Sequence, residues 1–181
     1  MQPTNHRRQQ GGFTLIELLI TVAILAIITL LAASVYGSYT AQVQAAEPLR
    51  MVSGMKQAWE TEYFNSGGVP PTSNADIGFS TTATDYAGTY VASLQVDSTG
   101  VVATFRDSEP VEAGLRGDTL IFKPWETPGG GIVWSCGAAP TPTDPSDDSD
   151  LPIAGTATGN ALSALASSTL PSDAMPSGCR P

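Results

Sequence analysis

Hydrophobic positions follow three rhythms along this chain. From Leu18 to Val35 apolar residues dominate on every side of a helical wheel, and none of the eighteen positions is charged. A helix of that length is just enough to cross the hydrocarbon core of a bilayer. From Ala41 to Asn65 the apolar residues Ala45, Leu49, Val52, Met55, Trp59 and Tyr63 recur at intervals of three or four, the period of one helical face. Gln44, Glu47, Lys56, Glu60 and Glu62 fall on the opposite side, predicted to meet solvent or a neighbouring molecule. Pro48 removes one backbone donor and is expected to bend the helix. Ser66-Gly67-Gly68-Val69-Pro70-Pro71 ends it, with glycine in the C-cap region and prolines beyond.

The third rhythm has period two. After a polar connecting loop over 66–87, Thr89 to Val96 places Tyr90, Ala92, Leu94 and Val96 on one face. An Asp97-Ser98-Thr99-Gly100 turn leads to Val101–Arg106, where Val101, Ala103 and Phe105 share a side. Asp118–Lys123 and Gly131–Cys136 supply two more strands, parted by Pro128-Gly129-Gly130. The fold class that follows is α+β. A long N-terminal helix, transmembrane in its first half, packs its second half on a four-stranded antiparallel sheet. A C-terminal region over 137–181 would be closed by cysteines, with a short helix expected over Asn160–Thr169.

Composition narrows the function. The formal net charge is −9, and Arg7 and Arg8 precede the apolar run, so the remainder is more acidic still. Nucleic acid is therefore not expected as the main ligand, because phosphate contacts need Lys and Arg. The two cysteines, Cys136 and Cys179, lie far beyond the apolar segment and would form one disulfide if that part is exported. Closing so long a loop stabilises by roughly 4 kcal/mol in the chain-entropy model. Arg7 and Arg8 fix the first residues on the cytoplasmic side under the positive-inside rule. A secretory signal peptide cut near Ala32-Ala33-Ser34 is the alternative reading of this start.

Gly11-Gly12-Phe13-Thr14-Leu15-Ile16-Glu17 stands immediately before the apolar run. From Gly12 to Tyr39 the chain strongly resembles the start of type IV prepilins. GTYVASLQV, RGDTLIFKPW, IVWSCG and LPSDAMPSGCR resemble, in order, parts of the type IVa pilin head. The resemblance covers most of the chain and is weakest over 66–87 and 138–168. It implies a leader over 1–12 that is cut between Gly12 and Phe13, and an N-methylated Phe13. It also implies a membrane or filament-core helix over 13–36, an amphipathic continuation over 37–65, an αβ loop over 66–87 and a sheet over 88–136. The implied function is the structural subunit, most simply the major one, of an extracellular fibre serving motility, adhesion or DNA uptake. The implied partners are further copies of the chain, minor pilins, a prepilin peptidase, an assembly ATPase, a platform protein and a secretin, with the inner membrane holding the subunit before assembly. A DNA-binding minor pilin and a pseudopilin of type II secretion are the alternatives. Many pilins carry Gly and Pro where this chain has Ala26 and Ser34, so melting of the helix there is not expected from helix propensity.

Candidate chemistry is sparse. The only histidine, His6, lies in the implied leader, and a disulfide would consume both thiols, which leaves no base for a nucleophile and no enzyme reading. Gly129-Gly130-Gly131 lacks the Lys and Ser or Thr of a phosphate loop and reads as a turn. Asp144, Asp147, Asp148 and Asp150 are the one acidic cluster, but the glycine and distant glutamate of a calcium loop are missing, so the reading is a solvated loop without metal or cofactor. Arg50, Lys56, Arg106, Arg116, Lys123 and Arg180 are too scattered for a basic stripe. Glu17 stands at the edge of the apolar run, where a lipid-exposed carboxylate costs on the order of 3 kcal/mol. It is either a boundary residue or, as the resemblance implies, the partner of a neighbouring subunit's Phe13 amine; Thr14 either helps to bind that amine or is an ordinary residue of the first turn.

Overall fold

The computed structural model describes residues 13–97, 100–146, 149–155 and 168–181. The chain divides into two compact units, 1–36 and 37–181. Helix α1 spans Leu15–Ala45 and runs without a break through Ala26 and Ser34. From Leu15 to Ala32 its apolar side chains lie open on all sides, with Leu15 at 81%, Ile16 at 66% and Leu30 at 76%. Thr21 and Thr29 turn their hydroxyls back onto the carbonyls of Leu18 and Leu25, at 2.8 and 2.7 Å. Their donors are satisfied inside the helix, as an apolar surrounding requires.

The second unit opens with the end of α1 and helix α2, Glu47–Asn65. The helical hydrogen bonding is interrupted at Ala46, and Pro48 sits in the first turn of α2, where its missing donor costs nothing. Two residues before Pro48 the hydrogen bonding thus lapses at Ala46, whose backbone stays in the right-handed helical region (φ −80°, ψ −17°). At the other end Gly68 N donates to Tyr63 O (2.9 Å) and Gly67 N to Phe64 O (3.3 Å), with Gly67 at φ 76°. This paired closure needs the left-handed backbone that glycine adopts without strain.

Four strands follow: β1 Val91–Asp97, β2 Gly100–Phe105, β3 Thr119–Glu126 and β4 Ile132–Cys136. They form an antiparallel sheet in the order β1-β2-β3-β4. The predicted helix stripe is the core: Ala45, Val52, Met55, Trp59 and Tyr63 are buried and Leu49 packs at its rim. It meets Leu94, Val96, Val101, Ala103, Phe105, Leu120 and Phe122 in one cluster, each buried Val, Leu or Phe side chain being worth about 1.5–3 kcal/mol. Trp59 stacks on Tyr63 and meets the edge of Trp134, with ring centroids 5.2 and 5.3 Å apart.

Several expectations are corrected. In β1 the buried residues are Val91, Leu94 and Val96, whereas Tyr90 and Ala92 are half-buried. The pairing of β1 with β2 shifts between Val91 and Ser93, and that extra residue reverses the alternation at the start of the strand. β3 continues past Lys123 and through Pro124, because the partner on that edge needs only the Pro124 carbonyl, which accepts from Ala154 N at 3.2 Å. The loop over 66–87 is more than a connection. Asn74, 3% exposed, donates to Leu94 O (3.2 Å) and accepts from Val96 N (2.6 Å), so one amide covers the outer edge of β1. Ser98 and Thr99 of the β1–β2 turn lie outside the described residues.

Four of the five polar residues expected to face away from the head bind to it. Gln44 accepts from Glu112 N and donates to Pro110 O, at 2.8 and 3.2 Å. Glu47 accepts from the N–H groups of Thr89, Tyr90 and Val91. Glu60 accepts from Trp134 Nε1 at 2.6 Å, and Lys56 lies 4.5 Å over the Phe122 ring. Sheet and loops enclose a wider arc of the helix than its apolar stripe marks, so polar side chains at the stripe's margin find partners in the head.

The C-terminal region is bound to β3 on both edges. Beyond the reach of β2, Glu126 N donates to Pro152 O (2.8 Å) and Trp125 bridges Ile153. Beyond the reach of β4, Thr169 N donates to Thr119 O (3.1 Å) and Ile121 N to Ser168 Oγ (2.9 Å). Cys136 and Cys179 are bonded, 43 residues apart in sequence. Of the helix expected over Asn160–Thr169, residues 160–167 lie outside the described ones, while Ser168 and Thr169 are not helical.

Candidate functional site

The site indicated by the sequence is the first turn of α1. Thr14 stands just ahead of Leu15, and Thr14-Leu15-Ile16-Glu17 has the spacing that lets an N-cap hydroxyl and a third-position carboxylate meet. The Thr14 hydroxyl donates to Glu17 Oε2 at 3.4 Å, and Glu17 N donates to Thr14 O at 3.1 Å. A carboxylate in the first turn is also favoured by the partial positive charge of the helix end. Glu17 Oε1 has no partner among the described residues, and Phe13 is 75% exposed beside it. The first turn therefore offers one unoccupied carboxylate oxygen at the head of a surface that is otherwise uncharged and mostly apolar. Over Leu15–Ala32 the mean hydropathy is 2.8. Such a surface can accept a cation delivered by another molecule at one defined level and is otherwise indifferent to axial position. Gly12 lies outside the described residues.

A second group of polar contacts, which periodicity alone does not reveal, fixes the head. Tyr63 Oη donates to Glu126 Oε2 and accepts from Gly155 N, both at 2.9 Å, tying α2, β3 and the C-terminal region at one atom. Burial pushes the Tyr63 phenol above its ordinary pKa, and the hydrogen bond to Glu126 adds to this. Burial lowers Lys56, opposed by the nearby Glu60, and burial likewise lowers Lys123. Asp76 is held below the usual carboxylate range, first by the Thr72 N–H and also by Ser73. The signal available in the sequence was the polar end of each amphipathic residue; their partners are too distant in the chain to be read there.

The remaining candidates bear little chemistry. Among the described residues no three His, Cys, Asp or Glu side chains come together as a metal site. Asp144 Oδ1 accepts from Ser146 N and Oγ, at 2.8 and 2.7 Å, as a turn residue does. Asp147 and Asp148 lie outside the described residues. Thr127 N donates to Gly131 O at 2.8 Å, closing the glycine-rich stretch as the turn between β3 and β4. Among the described residues several basic side chains are engaged within the head. Arg106 donates to Gly88 O (2.8 Å), Arg116 to Val111 O (3.0 Å) and Arg180 to Met175 O (2.9 Å), so three of them brace loops.

Comparison with known proteins agrees with this geometry. A family model described as pilin, a bacterial filament protein, matches residues 41–180, and one for the prokaryotic N-terminal methylation motif matches residues 7–33. The chain is 34% identical to the type IV major pilin protein PilE1 of Neisseria gonorrhoeae over 78% of its own length and 77% of the relative's. It is 37% identical to a fimbrial protein of Neisseria meningitidis, over 71% of this chain and 73% of that one. To a fimbrial protein of Pseudomonas aeruginosa it is 34% identical, over 75% and 90% of the two chains. With an N-terminal methylation motif, an apolar first helix, a four-stranded head and a matched family model over most of its length, the chain belongs to the pilin family as a type IV pilin.

Proposed function

We propose that this protein is the major structural subunit of a type IV pilus, made as a precursor that is cut after Gly12 and methylated on Phe13. The subunit waits in the inner membrane through α1, with its head in the periplasm, and is then drawn into an extracellular fibre. In the fibre Glu17 takes the protonated amine of a neighbouring Phe13, with the Thr14 hydroxyl steadying the carboxylate. Two charges that leave water together lose much less than one alone, and the pair selects one axial offset among the many that apolar packing permits. The observation that carries this reading is the free oxygen of Glu17 at the head of an uncharged helix.

The machinery follows from that role: a prepilin peptidase at Gly12-Phe13, an assembly ATPase, a platform protein, a secretin and minor pilins. Motility, adhesion and DNA uptake are the fibre functions proposed, and no catalytic group is assigned. The DNA-receptor alternative has less support, because Arg106, Arg116 and Arg180 are already bonded to backbone carbonyls. The pseudopilin alternative has less support from relatives named as major pilins. Intact-mass measurement of sheared surface fibres tests the proposal: the main species should begin at methylated Phe13. A main species that retains residues 1–12, or begins after Ser34, would refute it.

A further inference from the structure

Residues 13–181 carry a formal charge two units more negative than the −9 of the whole chain, since Arg7 and Arg8 are the only charged groups before Phe13. Copies of so acidic a chain repel one another, and each cation able to face a neighbour has disproportionate weight. Most cations here are engaged internally. Arg106, Arg116 and Arg180 brace loops, Lys56 lies over the Phe122 and Trp134 rings, and Lys123 is half-buried. Arg50 is different: it is exposed, and among the described residues its guanidinium has no hydrogen-bond or ion-pair partner.

Arg50 stands on the rim of a groove of about 610 Å³ whose other walls are Val43, Ala46, Met51, Glu47 and Tyr90. Val43 is 53% exposed there, and the Glu47 carboxylate is turned onto three backbone N–H groups rather than onto the guanidinium. An apolar floor beside one unpaired arginine fits a surface with apolar and acidic groups side by side. The same chain carries one at the other end of α2. A recess of about 600 Å³ is lined by Glu62, Val69, Pro70, Pro71 and Asp76, with Val69 43% exposed. The Glu62 carboxylate has no partner among the described residues.

We propose that the Arg50 groove is a subunit contact that receives a second copy of this chain through its Glu62–Val69–Asp76 surface. The two patches lie twelve residues apart on α2, roughly 18 Å along its axis and on different sides of it. A contact between different patches is heterologous, and unless its rotation closes it propagates into an open helical array rather than a closed dimer. The guanidinium fork suits the unpartnered Glu62 carboxylate of that surface, Asp76 being turned onto the Thr72 and Ser73 N–H groups, and the pairing counters the repulsion that the rest of the chain creates. The proposal rests on the filament reading but not on the Glu17 contact.

The test is charge exchange in the full-length protein in its own cells, with fibres counted by electron microscopy and processed subunit measured by immunoblot. The parent should form fibres; if it forms none, the filament reading itself fails. Arg50→Glu and Glu62→Arg should each lower fibre number at least tenfold at parental subunit level, and the double exchange should restore it. Normal fibres in Arg50→Glu, or a double exchange no better than either single one, would overturn the contact. Should a reversal reduce subunit accumulation, carbodiimide treatment of Arg50→Lys fibres replaces it. The new amine should link to Glu62 of another copy, and links only to other carboxylates would also overturn the contact.

Discussion

Glu47 Oε2 accepts the backbone N–H of Tyr90 at 2.6 Å, and through it the first turn of α2 holds the chain entering β1. The same carboxylate takes the N–H groups of Thr89 and Val91 at 2.8 and 3.0 Å. A helix residue forty-odd positions upstream thus supplies what a further strand would otherwise supply. Gly88 permits the approach, since a Cβ there would meet Glu47 Oε1 at 2.7 Å.

Removing that carboxylate leaves three donors short of an acceptor, one of them on the buried Val91. Glu47→Ala is expected to lower stability by about 2–4 kcal/mol, the scale of losing charge-assisted bonds at partly buried groups. Glu47→Gln, which keeps one acceptor oxygen, should lose less. Urea unfolding of purified subunit in detergent measures both, and equal midpoints for parent and alanine variant would contradict the role.

The disulfide carries the next expectation. Cys136 and Cys179 close a loop spanning 43 residues in sequence. Cys136→Ser should reduce stability by about 4 kcal/mol in the chain-entropy model. Hydrogen exchange should rise first at Thr169, whose N–H is tied to Thr119 O near that end of the loop. Unchanged protection at Thr169 would mean that the contacts with β3 hold the segment without the bond.

Alkaline pH should act through Tyr63, whose pKa is raised in the folded head by burial and the bond to Glu126. A group with a raised folded pKa stabilises fully below its unfolded value, about 10 for tyrosine, and loses that contribution as pH rises through the folded value. Stability should therefore fall above about pH 10. Tyr63→Phe should flatten that fall while costing about 1–3 kcal/mol near neutrality, because Gly155 N loses its acceptor. Melting curves across pH for both proteins decide it; parallel slopes would rule out Tyr63 as the group responsible.

Acid should act through Asp76, held low by the Thr72 and Ser73 N–H groups. Its contribution is present above the unfolded carboxylate pKa, about 3.9, and is lost as pH falls through the lower folded value. In Asp76→Asn the loop over 72–76 should show faster exchange at neutral pH and no further change on acidification. An acid response equal to the parent's would place the titration elsewhere.

Glu17→Ala should insert in the membrane and be cleaved normally, since neither step needs the carboxylate, yet yield few fibres. Glu17→Asp should recover part of the loss, because the charge remains one methylene short. Subunit by immunoblot and fibres by microscopy in the same cells provide the measurement. Parental fibre numbers in the alanine variant would make Glu17 a boundary residue only.

Much of this molecule is decided locally, and the sequence alone determines that part. The unbroken apolar run after Glu17, the stripe from Ala45 to Tyr63, the glycine closure at Gly67-Gly68 and four strand-length runs each rest on interactions within a few residues. The Thr14–Glu17 pair is equally local, being one helical turn long. Tertiary structure alone decided the rest. Gln44, Glu47, Lys56 and Glu60 read as an outward face, because their partners at Glu112, Tyr90, Phe122 and Trp134 lie far along the chain. The extra residue near Ala92 changes which side chains enter the core and leaves no mark in composition. The strand read from the sequence stops at Lys123, yet β3 continues through Pro124, since the segment around Ile153 borrows its carbonyl and not its absent N–H. A hydrogen bond is directional and short, so a polar side chain declares its capacity in the sequence and its partner only in the folded chain.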